Sequence, residues 1–385
     1  MWNRRASNNL AYLANMGSCY KPSLPLVLLQ FILCLLLVCT SDAEVSEKPR
    51  ALNNTISAVF VFGDSTVDPG NNNYLPTAFK GNFAPYGRDF TNRNPTGRFT
   101  NGRLTTDFIA SYVGVKNSVP PYLDSRLSSE ELMTGVSFAS AGSGFDPLTP
   151  RIPNVMDIQK QLECFRAYKQ KLESATGKQR TEDHIKKALF IISAGTNDFV
   201  INYFALPFRR KNYSVFTYQK FILHKAKELL QALHDEGARK ILMVGLPPMG
   251  CLPIVITLSS NNAILSRDCI EAYSIVARDY NLMLQNELNF MQQSLGHAGT
   301  RINYIDIYGP IEYMIQGPGK FDFDEVSSGC CGTGYLEAAF LCNPDSYVCP
   351  DASTYVFWDS IHPTEKTYYN VFKSLLPIID SFIRE

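Results

Sequence analysis

The sequence predicts an α/β fold: one three-layer domain, with a parallel sheet between two layers of helix. Short β-branched runs recur along the chain, helical periodicities separate them, and no Pro/Ser-rich linker or internal repeat interrupts the pattern beyond residue 57. Alternating strands and helices imply right-handed βαβ units and a sheet covered on both faces. The 385 residues are 45% hydrophobic and 19% charged, enough apolar material for a sizeable core. Large α/β sheets exceed the usual domain length of about 150 residues, so one domain suits this length. Lys+Arg and Asp+Glu both number 36, which leaves no basic surplus for nucleic acid.

The first element is a leader. Residues 24–39 form an apolar run broken only by Pro25 and Gln30, with Arg4, Arg5 and Lys21 before it and Ser41-Asp42-Ala43 after it. That is the pattern of a signal peptide over residues 1–43, cleaved after Ala43. The run is shorter than the roughly 20 apolar residues a membrane span needs. The expected product is secreted and extracellular, with no stable membrane span after cleavage. Residues 44–57 lead into a domain over 58–385.

Four runs read as strands: 58–62 (AVFVF), 188–193 (ALFIIS), 240–245 (KILMVG) and 302–307 (INYIDI). None alternates polar with apolar residues, as expected of strands buried on both faces. Phe221, Ile222, Ala226, Leu229, Leu230 and Leu233 recur at helical spacing and stop at Gly237. Ile270, Tyr273, Ala277, Tyr280, Leu284, Leu288, Met291 and Leu295 do so up to Gly296. A last helix is predicted to start at Pro363, with Tyr369, Phe372, Leu376, Ile379 and Phe382 on one face.

Seven cysteines follow the leader: Cys164, Cys251, Cys269, Cys330, Cys331, Cys342 and Cys349. No C-x-x-C pair occurs, so disulfides in an oxidising compartment are favoured over zinc. The odd count leaves at least one thiol over, and Cys164, isolated on a helical pattern, is the expected one. Asn53 and Asn212 open N-x-Ser/Thr tripeptides, candidate N-glycan acceptors in an exported chain.

Ligands of open parallel sheets bind beyond the carboxyl ends of the strands. After the first run come Gly63-Asp64-Ser65, where Ser65 is either a helix N-cap or a nucleophile. Neither a phosphate-binding glycine loop nor a G-x-S-x-G elbow is present. A nucleophilic serine needs a base. Of the five histidines, His224 and His234 sit on an amphipathic helix, His184 lies among charged residues on a solvated face, and His297 is in a glycine-flanked turn. His362 follows Asp359 by three residues, so Asp359 either orients the imidazole or caps the last helix. Asn197, after the 188–193 run, offers carboxamide N–H groups, and the small residues of 137–144 offer bare backbone N–H groups for an oxyanion.

In order, these motifs resemble those of the plant-type GDSL esterase/lipase family of the SGNH hydrolase superfamily, over essentially the whole chain beyond the leader. The resemblance rests on Phe62-Gly63-Asp64-Ser65, Asp68-x-Gly70-Asn71-Asn72 and the run from Pro95-Thr96-Gly97-Arg98 to Phe99-Thr100-Asn101-Gly102-Arg103. It continues through Gly195-x-Asn197-Asp198, Gly245-Leu246-Pro247-Pro248-x-Gly250-Cys251 and Trp358-Asp359-x-x-His362-Pro363.

The resemblance implies a flavodoxin-like α/β/α sandwich around a five-stranded parallel sheet. It also implies hydrolysis of acyl esters, lipid or otherwise apolar, with neither metal nor organic cofactor. By position it assigns Ser65 as nucleophile, His362 as base and Asp359 as the group orienting it. The oxyanion donors would be the N–H groups of Ser65 and Gly142 and the Asn197 side chain. Thr66 replaces the Leu of the family's name motif and Ser137 an Asn that members often carry, which bears on substrate fit. Two alternatives share the fold: an acyltransferase with a non-water acceptor, and a non-catalytic acyl- or glycan-binding protein.

Overall fold

The computed structural model describes residues 56–383. The leader over 1–43, the Asn53 tripeptide and nearly all of the 44–57 lead-in lie outside the described residues.

Each apolar run becomes a strand: β1 (Val59–Gly63), β2 (Leu189–Ser193), β3 (Lys240–Val244) and β4 (Arg301–Ile305), paired in that order, all parallel. The helices that build the two layers include α1 (Thr105–Tyr112), α2 (Ile158–Thr176), α3 (Val215–Asp235), α4 (Glu271–Leu295), α5 (Tyr308–Gln316) and α6 (Glu365–Ile383). They form two layers, α2 with α3 and α4 on one side, α1 with α6 and α5 on the other. Strand side chains alternate between the layers. Phe60, Phe62 and Phe190 pack on Phe165 of α2, while Ile191 and Leu242 face Val371 and Leu375 of α6.

The expected five-stranded sheet has four regular strands. Along the outer edge of β1 runs an irregular stretch, with Val61 N–H donating to Val136 O and Phe138 N–H to Val61 O. It pairs with β1 at one parallel bridge, Val61 with Ser137. Ser137 also bridges Pro121 on its far side, and a Cβ on Gly135 would stand 2.1 Å from Val59 O, so backbone contact there is too close for an ordinary rung. A second, two-stranded parallel sheet pairs β5 (Glu325–Gly329) with β6 (Tyr355–Phe357).

Disulfides join Cys251 to Cys269, Cys330 to Cys349 and Cys331 to Cys342, and Cys164 is the free, buried thiol. The last two disulfides tie down the segment beside β6, where Cys331 N–H donates to Trp358 O. Among the described residues, no helix is long and apolar enough to cross a membrane.

Candidate active site

The strand ends place the polar clusters on one rim. β1 stops at Gly63, with φ +141°, where a Cβ would lie 1.8 Å from Ser193 O; only glycine fits. Gln161 of α2 grips that residue at both ends, accepting from Gly63 N–H at 2.9 Å and donating to Gly63 O at 2.8 Å. Asp64 N–H donates to Ser193 O, and Val67 N–H donates back to Asp64 O. The chain therefore turns sharply at Ser65, and no helix starts there for Ser65 to cap.

His362 approaches from the other end of the chain. Its Nε2 lies 2.8 Å from Ser65 Oγ, and its Nδ1 lies 2.7 Å from Asp359 Oδ2. Asp359 is fully buried and His362 is 4% exposed. A carboxylate only accepts, so Nδ1 carries the proton and Nε2 is left to accept from the serine. Asp359 Oδ1 also accepts from the N–H groups of Ile361 and His362, which closes the loop between them. Asp359 does not cap α6; the Thr364 hydroxyl does, accepting from Thr367 N–H. Pro363 is not the first residue of that helix either. It bridges Phe357, with Trp358 N–H donating to His362 O, so the helix starts only at Glu365.

The three expected oxyanion donors are held in different ways. Gly142 has φ +84°, and a Cβ there would meet Pro153 Cγ at 2.8 Å. The preceding peptide is clamped: Ala141 N–H donates to Asp68 Oδ2, and Asn72 Nδ2 donates to Ala141 O, both at 2.9 Å. A peptide is planar, so holding Ala141 O fixes the direction of Gly142 N–H. Among the described residues, neither that N–H nor the N–H of Ser65 meets a protein acceptor. Asn197 Nδ2 gives one hydrogen to Ser143 O at 2.9 Å, which orients the carboxamide and leaves the second hydrogen free. Gly144, the other glycine of that stretch, serves packing: its Cβ would collide with the Asp198 carboxylate.

The profile of the GDSL-like lipase/acylhydrolase family matches residues 59–375. The chain belongs to that family. A GDSL esterase/lipase of Arabidopsis thaliana, At5g45960, is 60% identical over 344 residues, 89% of this chain and 92% of its own. A second from the same plant, At1g06990, is 44% identical over 319 residues, 83% of this chain and 88% of its own. Membership places the chain among the carboxylic ester hydrolases.

Several family-motif residues act on the site through other groups, and sequence reasoning gave them no role. Asp68 accepts from the N–H groups of Gly70, Asn71 and Ala141, and Asn71 Nδ2 donates to the carbonyls of Ser137 and Ala139. Arg98 forms a buried two-pronged ion pair with Asp107, while Phe99 packs its ring 5.1 Å from the His362 ring. Thr100 Oγ1 donates to Pro363 O. Glycine-rich sequence around buried Asp and Asn was the available signal.

Tyr86, outside every motif, donates to Asp359 Oδ2 at 2.8 Å and accepts from Ala339 N–H. Burial, then the Asp359 charge, holds its phenol well above the ordinary range, so it stays a donor. A hydrogen bond to a charged group contributes about 1.5–3 kcal/mol. Tyr86→Phe is therefore expected to lower kcat by about tenfold or more at nearly constant KM, measured on protein whose melting transition remains cooperative. His184 departs from its predicted solvated face: its Nε2 is buried without a protein partner, and its ring stands edge-on to Phe60.

Asp198 accepts from Phe145 N–H, Asp146 N–H and the Thr149 hydroxyl, pinning the loop that carries Gly142. Burial pushes its carboxyl up to about 7, against the opposing pull of Thr149 and Phe145. The folded state then keeps a proton that the unfolded chain releases near 3.8. The stability this group contributes is full below about pH 4 and is lost as pH rises through 7. The difference in melting temperature between Asp198→Asn and the parent should accordingly shift in favour of the variant as pH rises from 4 to 7, read by calorimetry across that window.

Proposed function

We propose that this chain is a secreted serine ester hydrolase acting through an acyl-enzyme, with residues 58–385 as its single catalytic domain. His362 Nε2 takes the Ser65 proton as Oγ bonds to the ester carbonyl carbon. The carbonyl π pair moves to oxygen, where the N–H groups of Ser65, Gly142 and Asn197 receive it. The pair returns, the ester C–O bond breaks, and the alcohol leaves with the proton from His362. Water then enters by the same route, and the acid departs. Asp359 holds the imidazole in one tautomer and balances its charge during each proton transfer.

The observation that carries this reading is the unbroken hydrogen-bonded chain from Asp359 through His362 to Ser65 Oγ. A binding protein has no need of such a chain. A fluorophosphonate probe should label the folded protein once, at Ser65, and should not label Ser65→Ala. Absence of labelling in the parent would overturn the proposal. The leader supports secretion, and exposed Asn212 in its turn is the candidate glycan acceptor among the described residues. Product analysis in the presence of an alcohol acceptor separates hydrolysis from acyl transfer.

A further inference from the structure

A cavity of about 80 Å³ opens beside the Ser65 turn and continues beneath the sheet. Its walls change character along their length. At one end stand Asp64, Ser65 and Asn197; beyond them come Ile191, Leu242 and Ile305 from the strands. The facing wall is α6, through Tyr368, Val371 and Leu375.

The element geometry gives this cavity a direction. Ser193 and Ile191, like Val244 and Leu242, are two residues apart on one sheet face, so each pair runs about 7 Å back from the strand end. Tyr368, Val371 and Leu375 share one helix face, and the rise from the first to the last is about 10 Å. Tyr368 marks the shallow end. Burial, then the charges of Asp64 and Asp359, holds its phenol well above the ordinary range, so it lies near both carboxylates. Its hydroxyl is buried without a protein partner among the described residues. Leu375 and Leu242 are the lining residues that lie furthest back along α6 and β3.

Native cores leave few voids larger than a water molecule. This one has room for roughly five to eight waters, starts at a hydroxyl poised for acyl chemistry, and turns apolar away from it. We propose that it is the acyl-chain pocket of the enzyme, taking an unbranched aliphatic chain of about six to eight carbons whose length is limited by Leu375. The proposal rests on Ser65 being the acylated residue. A methylene is about the size of a water molecule, so the cavity volume and the rise along α6 give similar lengths.

The test is a series of p-nitrophenyl esters, acetate to palmitate, on the full secreted chain and two variants. Each methylene entering the pocket should raise kcat/KM about fourfold, the equivalent of ~0.8 kcal/mol, with a break near eight carbons. Leu375→Phe should lower the octanoate-to-acetate ratio at least tenfold, while Leu375→Ala should move the break two or three carbons longer. General destabilisation would not move the two variants in opposite directions. A ratio unchanged in both, or a flat profile in the parent, overturns the pocket while leaving the hydrolase reading intact. Calorimetric titration of Ser65→Ala with octanoate and acetate reads the pocket without turnover. Octanoate bound much more tightly than acetate, by a protein whose parent cleaves no ester, would keep the pocket and end the hydrolase reading. Equal binding of the two acids would end the pocket.

Discussion

Removing the Ser65 hydroxyl should lower kcat for a short p-nitrophenyl ester by about 10⁴–10⁶-fold, and removing the His362 imidazole as well should lower it no further. In the proposed reaction the two groups perform one act. At 2.8 Å from Nε2, the serine proton has a single acceptor, and a hydroxyl without a base is a poor nucleophile at neutral pH. Once either partner is gone, a base-assisted attack by Ser65 is lost, and the partner that remains gains little on its own. Ser65→Ala, His362→Ala and the double variant should therefore share one residual rate, supplied by substrate binding and the oxyanion donors. Single-turnover measurement on the three proteins checks this. Multiplicative losses would mean that the residues act independently, contrary to a shared proton.

The parts of this molecule legible in sequence are those set by local pattern. β1 to β4 were readable because strands covered on both faces carry few polar residues. The helix ending near Gly237 was readable because glycine takes up positive φ, here +107°, at little cost. The pairing of Asp359 with His362 was readable because only one of five histidines has a carboxylate three residues before it. Where a long-range contact decides the matter, local pattern misled. Pro363 has the right residue type to begin α6, yet its pairing with Phe357 and the Thr364 cap displace the start to Glu365. His184 has charged neighbours in sequence, but its side of the Lys178–Lys187 helix turns towards Phe60. Tyr86 supports Asp359 across a separation of 273 residues, with nothing around it in the chain to announce the role.

Asn197→Ala should lower kcat about 10²–10³-fold while KM stays within a fewfold of the parent. The reason lies in what its two amide hydrogens do. One is committed to Ser143 O and holds the carboxamide in place; the other is free, beside Ser65 in the same cavity. A neutral ester carbonyl is a modest acceptor, so the ground state gains little from the free hydrogen. In the proposed reaction that oxygen becomes an anion as Ser65 adds, and the same donor then interacts far more strongly. An interaction of this kind appears in kcat and not in KM. Asn197→Asp separates the donor from its shape: it keeps the volume, loses both hydrogens and sets a negative group where the oxyanion forms. It should be at least as impaired as Asn197→Ala. If Asn197→Asp retained near-parental kcat, or if Asn197→Ala raised KM at constant kcat, Asn197 would be binding substrate rather than stabilising the intermediate.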